Sequence, residues 1–242
     1  MGTSIENNEH FLPRGFRWYT VAVLVVLSGL GVVTAIAGLW NFLLLAVGEV
    51  VLYAVYQRTW HRIRRGQDRA VRQPGTGTFS FGRYVFMTWA YAMLMEFCVD
   101  FGAYNTLNPL VVLVIMLVLT PHYFFLAAVF RLWFRWFTYS PREAYFTLGA
   151  VGFLLESIIL KFIAGTFAPS DIVLSPVALP VHMLNYGGVV LIPTLYHNRT
   201  DRREPTRTRW KYAVGIAGTL ALTLPEIGIT YAVVYRLTGP FK

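Results

Sequence analysis

The chain has 242 residues, of which 56% are hydrophobic, 16% aromatic and only 14% charged, and its mean hydropathy is +0.52. Soluble domains carry nearer a quarter charged residues, so the composition excludes an ordinary water-soluble fold. The formal charge of +9 does not point to nucleic acid, because the arginines cluster in short segments between apolar runs rather than along one amphipathic face.

Apolar runs of about 18 to 25 residues, each long enough to cross roughly 30 Å of hydrocarbon, define seven predicted spans: 18–37, 40–57, 84–104, 110–130, 145–163, 177–195 and 212–235. The expected fold is all-α, a single polytopic membrane helical bundle with no separate soluble domain. A closed barrel is the only other structure a bilayer admits, and these runs lack its period-two alternation. The first sixteen residues are polar, and no small-residue cleavage site follows the first run, so that run reads as a retained span rather than a signal peptide.

The first two spans form a tight hairpin around Gly38. The longest predicted loop, 58–83, comes next and carries Arg58, Arg62, Arg64, Arg65, Arg69, Arg72 and Arg83 against Asp68 alone; its stretch from Gln73 through Pro74 and Gly75 to Gly77 cannot continue a helix. Arg131, Arg135 and Arg142 lie between the fourth and fifth spans. Arg199, Arg202, Arg203, Arg207, Arg209 and Lys211 lie between the sixth and seventh. The alternate connections, 38–39, 105–109 and 164–176, contain no lysine or arginine. Under the positive-inside rule this asymmetry places the N-terminus in the cytoplasm and the C-terminus outside, with Arg236 and Lys242 as minor dissenters, in a multi-pass cell-membrane protein.

Within the spans stand Glu49, Glu96, Asp100, His122, Glu156, Lys161, His182 and Glu226. Ionisable groups in hydrocarbon are costly, so they usually face the bundle interior and serve a function. At about 1.5 Å rise per residue, Glu49, Glu96, Glu156 and Glu226 fall roughly 10 to 14 Å below the outer surface, and His182 and Asn185 roughly 7 to 12 Å below it. Five helices are thus expected to supply polar groups to one layer. Glu96 and Asp100, at i and i+4, share a helix face, where like charges repel and one carboxyl is expected to keep a proton to donate. Lys161 is expected to snorkel outward from its span end. His182 and Asn185 share a face at i and i+3, and Gly187 and Gly188 after them allow close approach of another helix. Pro176, Pro180, Pro193 and Pro225 are expected to kink their helices and free carbonyls. His122, after Pro121, reads as an ordinary packed histidine, and the Trp133 to Phe137 stretch as an interface anchor. Asn198, Arg199 and Thr200 form a glycosylation triplet on the side predicted to be cytoplasmic, where it carries no meaning.

HExxH, GxSxG, P-loop and GxGxxG motifs are missing. A retinal protein is disfavoured because the last span has no lysine for a Schiff base. Haem is disfavoured because His122 and His182 are placed at different depths. Cys98 is the only cysteine, which precludes an intrachain disulfide and a CxxC zinc site. No cofactor and no metal site are expected.

Asn41 and Phe42 followed by Glu49-Val50-Val51-Leu52-Tyr53 in the second span, and Glu226 before Tyr231 in the seventh, resemble the small membrane terpene cyclases of meroterpenoid pathways. The resemblance implies protonation of the substrate by acidic residues on these helices. It covers two short stretches, departs in spacing, and has Glu226 where that family tends to have Asp.

The residues themselves favour a membrane-embedded enzyme acting on a lipid or isoprenoid by acid/base chemistry. Glu96, Asp100, Glu156, His182 and Glu226 are the candidate catalytic residues, and Glu49, Asn185, Trp89 and Tyr91 the candidate substrate-binding residues, with aromatic walls able to stabilise a cation. A proton- or cation-coupled transporter or channel is the alternative, and a non-catalytic membrane subunit a further one. The expected partners are membrane lipids and a hydrophobic small molecule, with a homo-oligomer or a partner membrane subunit left open.

Overall fold

The computed structural model describes residues 10–70, 79–103, 107–200 and 206–238, so the Gln73 to Gly77 stretch lies outside the described residues, as does the side chain of Tyr231. Seven helices are long and apolar enough to cross a membrane. They are α1 (Arg14–Ile36), α2 (Asn41–Ala70), α3 (Phe81–Ala103), α4 (Pro109–Trp133), α5, α6 and α7 (Trp210–Thr238). α5 runs through Pro141–Leu154, a π-helical turn Leu155–Ile159, and Leu160–Ile163; α6 runs through Pro169–His182, a second π-helical turn Met183–Gly187, and Gly188–Thr200.

Two boundaries depart from the hydropathy pattern. α2 does not stop at residue 57 but continues to Ala70, because arginine and glutamine are good helix formers and no proline intervenes before Pro74. At about 1.5 Å per residue its 30 residues reach roughly 45 Å, well beyond the hydrocarbon. The predicted 164–176 loop shrinks to 164–168, since Pro169 starts α6 at the helical position where proline is tolerated. Between α1 and α2, Gly38 adopts φ +84°, the left-handed conformation that makes the hairpin tight.

α6 is the axis of the bundle. Of its most apolar window 72% is buried, against 22% to 44% for the other six, and it packs on α1, α2, α3 and α5. Close approach is secured by small residues. A Cβ on Gly152 of α5 would run into the Tyr186 ring, and one on Gly149 would stand 2.9 Å from the Met183 Cα. Pro180 has no N–H to offer the carbonyl one turn back at Pro176, and the Tyr19 hydroxyl of α1 donates to that carbonyl instead. The proline thus frees an acceptor, as expected, and α1 uses it.

The arginine-rich end is heavily cross-tied. Ser140 and Glu143 form a capping box that starts α5. Glu143 Oε1 also accepts from Lys211 Nζ and the Tyr212 hydroxyl, each at 2.7 Å. Tyr139 donates to the Lys211 carbonyl at 2.6 Å, Asn198 Nδ2 to the Tyr139 carbonyl at 2.7 Å, and the backbones of Thr138 and Thr206 meet at 3.0 Å. Lys211, grouped in sequence with the loop cations, is only 1% exposed. At the opposite end Lys161 reaches outward, as expected, and there pairs with Asp171 at 2.5 Å.

Candidate functional site

In the half of the bundle away from the arginines, all seven helices contribute to one cavity of about 640 Å³. Its walls are mostly aliphatic, from Leu27 and Leu30 of α1, Leu45 of α2, Leu119 of α4, Leu160 of α5 and Val177 of α6. Leu30, Phe42 and Leu174 on its rim are exposed, so the cavity is open to the surroundings of the bundle in this half.

Into this apolar space project Glu96, Asp100, His122, Tyr123, Glu156, His182, Asn185 and Tyr186. α3 places Glu96 and Asp100 on one face, as their spacing dictates, and both line the cavity. An ionised carboxylate only accepts, so two carboxyls on one face can bond to each other only while one of them holds a proton. The Tyr123 hydroxyl donates to Glu96 Oε1, while Asp100 Oδ2 is buried without a partner. Across the cavity Tyr186 donates to Glu156 Oε1, and His182 Nδ1 stands 3.3 Å from Glu156 Oε2.

The two π-helical turns explain this second group. A π turn inserts an extra residue into the helical repeat and so rotates everything beyond it. The turn in α5 contains Glu156 and the turn in α6 contains Asn185 and Tyr186. Both insertions lie where their helices meet the cavity.

Of the residues singled out in the sequence, Glu96, Asp100, Glu156, His182 and Asn185 come together. Glu226 does not line the cavity; it stands behind His122, whose Nδ1 it meets at 2.6 Å. Glu49 is likewise set back, fully buried, with Oε1 accepting from Asn185 Nδ2 at 2.9 Å. Trp89 and Tyr91 lie elsewhere: Trp89 bonds to Thr120 at 3.3 Å and stacks on Phe124, and the Tyr91 ring packs against Tyr56. They sit about one to two turns before Glu96 on α3, roughly 8 to 10 Å toward the arginine-rich end, too deep to reach the cavity.

Two further expectations are corrected. His122 is not an ordinary packed histidine, because it lines the cavity and its ring is oriented by Glu226; Nε2 is then the nitrogen available to a bound molecule. Nor does the different depth expected of His122 and His182 keep them apart, since both line the same cavity. Tyr123 and Tyr186 escaped sequence analysis. The signal for them is that a buried phenol needs a hydrogen-bond partner, and each stands beside a polar residue, His122 or Asn185. Among the described residues no three His, Cys, Asp or Glu side chains converge as metal ligands.

No protein-family model, no curated protein and no solved structure matches the chain, so its function has to be read from the cavity itself.

Proposed function

We propose that the chain is a membrane-embedded enzyme that acts on a lipid or isoprenoid by general acid/base chemistry, with the arginine-rich end in the cytoplasm. The observation that carries this is the convergence of Glu96, Asp100, Glu156 and His182 in one apolar-walled cavity. Such a cavity suits an elongated apolar molecule whose reactive end meets the polar groups. In the scheme we favour, the Glu96 and Asp100 pair supplies the proton. It adds to an alkene or epoxide of the substrate, and Glu156, aided by His182, accepts a proton from a neighbouring carbon. The proton given and the proton taken balance, so the reaction is an isomerisation or cyclisation with no co-reactant. His122, held by Glu226, is placed to orient or to share in the transfer.

The test compares membrane lipids from cells making the wild type, Glu96→Gln or Asp100→Asn, by mass spectrometry with chromatography. A species that accumulates with the variants and is replaced in the wild type by an isomer of identical mass is the expected result. Indistinguishable lipid profiles would remove the enzymatic reading.

Proton-coupled transport is the second reading, and the π turn with Pro176 and Pro180 in the central helix favours it, since transporters break helices beside their binding sites. Its signature is solute-driven proton movement in proteoliposomes that Glu96→Gln abolishes, with no isomer formed.

A further inference from the structure

A second polar cluster lies behind the cavity, and the acid scheme above makes no use of it. Glu49 Oε2, Tyr56 Oη, Tyr145 Oη and Asn185 Oδ1 are each buried and have no hydrogen-bond partner among the described residues. Glu49, Tyr56 and Tyr145 are at most 1% exposed and Asn185 9%. Such atoms are few in a folded protein and usually scattered, and the loss of their hydration is expensive. Four at one place, from α2, α5 and α6, call for a common partner. They do lie together: Asn185 Nδ2 bonds to Glu49, and the two phenols flank the next turn of α6. A Cβ on Gly187 would stand 2.9 Å from the Tyr145 ring, and one on Gly188 2.8 Å from the Tyr56 hydroxyl. The paired glycines are what let both phenols reach this turn.

Toward the arginine-rich end the cluster is closed by the N-terminal segment. The Phe11 ring, 1% exposed, packs 5.7 Å from Tyr53, 6.5 Å from Tyr56 and 5.7 Å from Tyr145. Arg142 grips the backbone there, Nε to the Phe11 carbonyl at 3.0 Å and Nη2 to the His10 carbonyl at 2.8 Å. Just beyond, His10 and His61 pair edge to face at 5.8 Å, and His61 Nε2 meets Gln57 Nε2 at 2.6 Å.

We propose that Glu49, Tyr56, Tyr145 and Asn185 hold internal water, and that this water forms a proton path from the arginine-rich end to the floor of the cavity, stoppered by Phe11. Water is the partner that suits four unrelated donors and acceptors in a confined polar space. Each hop along it breaks one O–H bond and makes another, so it needs no other reactant. Asn185 is the junction, bonded to Glu49 on one side and lining the cavity on the other. Phe11 has no polar atom, so the path is shut while the N-terminal segment is docked and opens when Arg142 lets go. The path goes beyond the acid-site reading and does not depend on it, since either an enzyme or a proton-coupled transporter needs its buried acids recharged.

Radiolytic hydroxyl labelling of the full-length protein in nanodiscs reads bound water without any substrate, so its result is separable from the assay of turnover. Tyr56 and Tyr145 are expected to be labelled despite their burial. Tyr84, equally buried but bonded to Thr194 at 3.1 Å, serves as the dry control and is expected to stay unlabelled. On rapid mixing with oxygen-18 water, the label at both tyrosines keeps the old isotope in the wild type and in Phe11→Leu, and takes up the new one in Phe11→Ala. Arg142→Gln, which keeps the Phe11 side chain but removes the grip on its backbone, speeds exchange as well and decides the matter if Phe11→Ala does not fold. Tyrosines as unlabelled as Tyr84, or exchange equally fast in wild type, Phe11→Ala and Arg142→Gln, would overturn the proposal.

Discussion

Tyr186 of α6 donates its hydroxyl to Glu156 of α5, and each of the two residues sits inside a π-helical turn. The turn in α6 packs on the stretch of α5 just before the other turn, so closely that Gly152 has no room for a Cβ beside the Tyr186 ring. Here the local irregularity of two helices and the packing between them serve one purpose, which is to present a carboxylate to the cavity with a phenol already hydrogen-bonded to it.

Gly152→Ala is therefore expected to destabilise the fold by about 1 to 3 kcal/mol, the usual cost of overpacking a filled contact. The aromatic ring must shift, and with it the bond to Glu156. Unfolding midpoints in detergent would show this, with Gly15→Ala, which meets open space, as the neutral comparison.

The acid pair separates chemistry from packing. Glu96→Gln and Asp100→Asn keep shape and most hydrogen-bonding capacity while removing the transferable proton, and burying a neutral amide costs less than burying a charge. Both variants are expected to fold with unfolding midpoints near the wild type and to lose roughly 10²- to 10⁴-fold in turnover, the range for a general acid. A variant that keeps full turnover would take that residue out of the proton donation.

Behind the cavity wall, Glu226→Leu leaves His122 Nδ1 without the partner it has at 2.6 Å. The expected cost is about 1 to 3 kcal/mol for a stranded buried group. Glu226→Gln keeps an oxygen for Nδ1 and should cost less. Equal stabilities for the two would show that Glu226 does not orient the histidine.

Lys211 and Glu143 test whether the arginine-rich end is held by paired charge. Lys211→Met is expected to destabilise by about 1 to 3 kcal/mol, because it removes the counter-charge of a half-buried carboxylate that still accepts from Tyr212 and the Ser140 N–H. Adding Glu143→Gln should restore part of that loss. If the double variant is as unstable as the two single losses summed, the two residues do not act as a pair.

Orientation is checked by cysteine labelling in intact cells after replacing Cys98. Positions in the 164–168 turn should react with an impermeant reagent, and positions around Arg62 should not, since basic segments stay in the cytoplasm. The reverse pattern would invert the bundle.

The seven helices are legible because each carries an unbroken apolar run, and most of the cavity floor is legible because charge in such a run stands out. Simple rise-per-residue arithmetic brings Glu96, Glu156, His182 and Asn185 to one level, and they do share a cavity. The same arithmetic does not tell front from back: Glu49 and Glu226 are at comparable depth but are screened by Asn185 and His122. Nor does it tell a phenol that serves the site from one that only packs, which is why Tyr186 goes unnoticed although Asn185 in the same π turn does not. Aromatic character alone misplaces Trp89 and Tyr91, since most aromatic residues in such a bundle pack on one another. Hydropathy ends a span where arginine begins, although arginine extends a helix readily, so α2 beyond residue 57 reads as loop.

The ties at the two ends of the bundle are unequal. Beside the arginines, Lys211, Glu143, Tyr212, Tyr139, Asn198 and Arg142 stitch the N-terminal segment, α5, α6 and α7 to one another and to the 134–140 connection, whereas at the cavity end the ion pair between Lys161 and Asp171 joins α5 to α6. Stiffness is thus graded along the bundle axis. A body tied in this way is expected to splay from a clamped base, like the tines of a fork, most at the rim formed by Leu30, Phe42 and Leu174. The cavity can widen to admit a bulky chain without disturbing the clamped end, and the floor groups nearest the base move least while it does so.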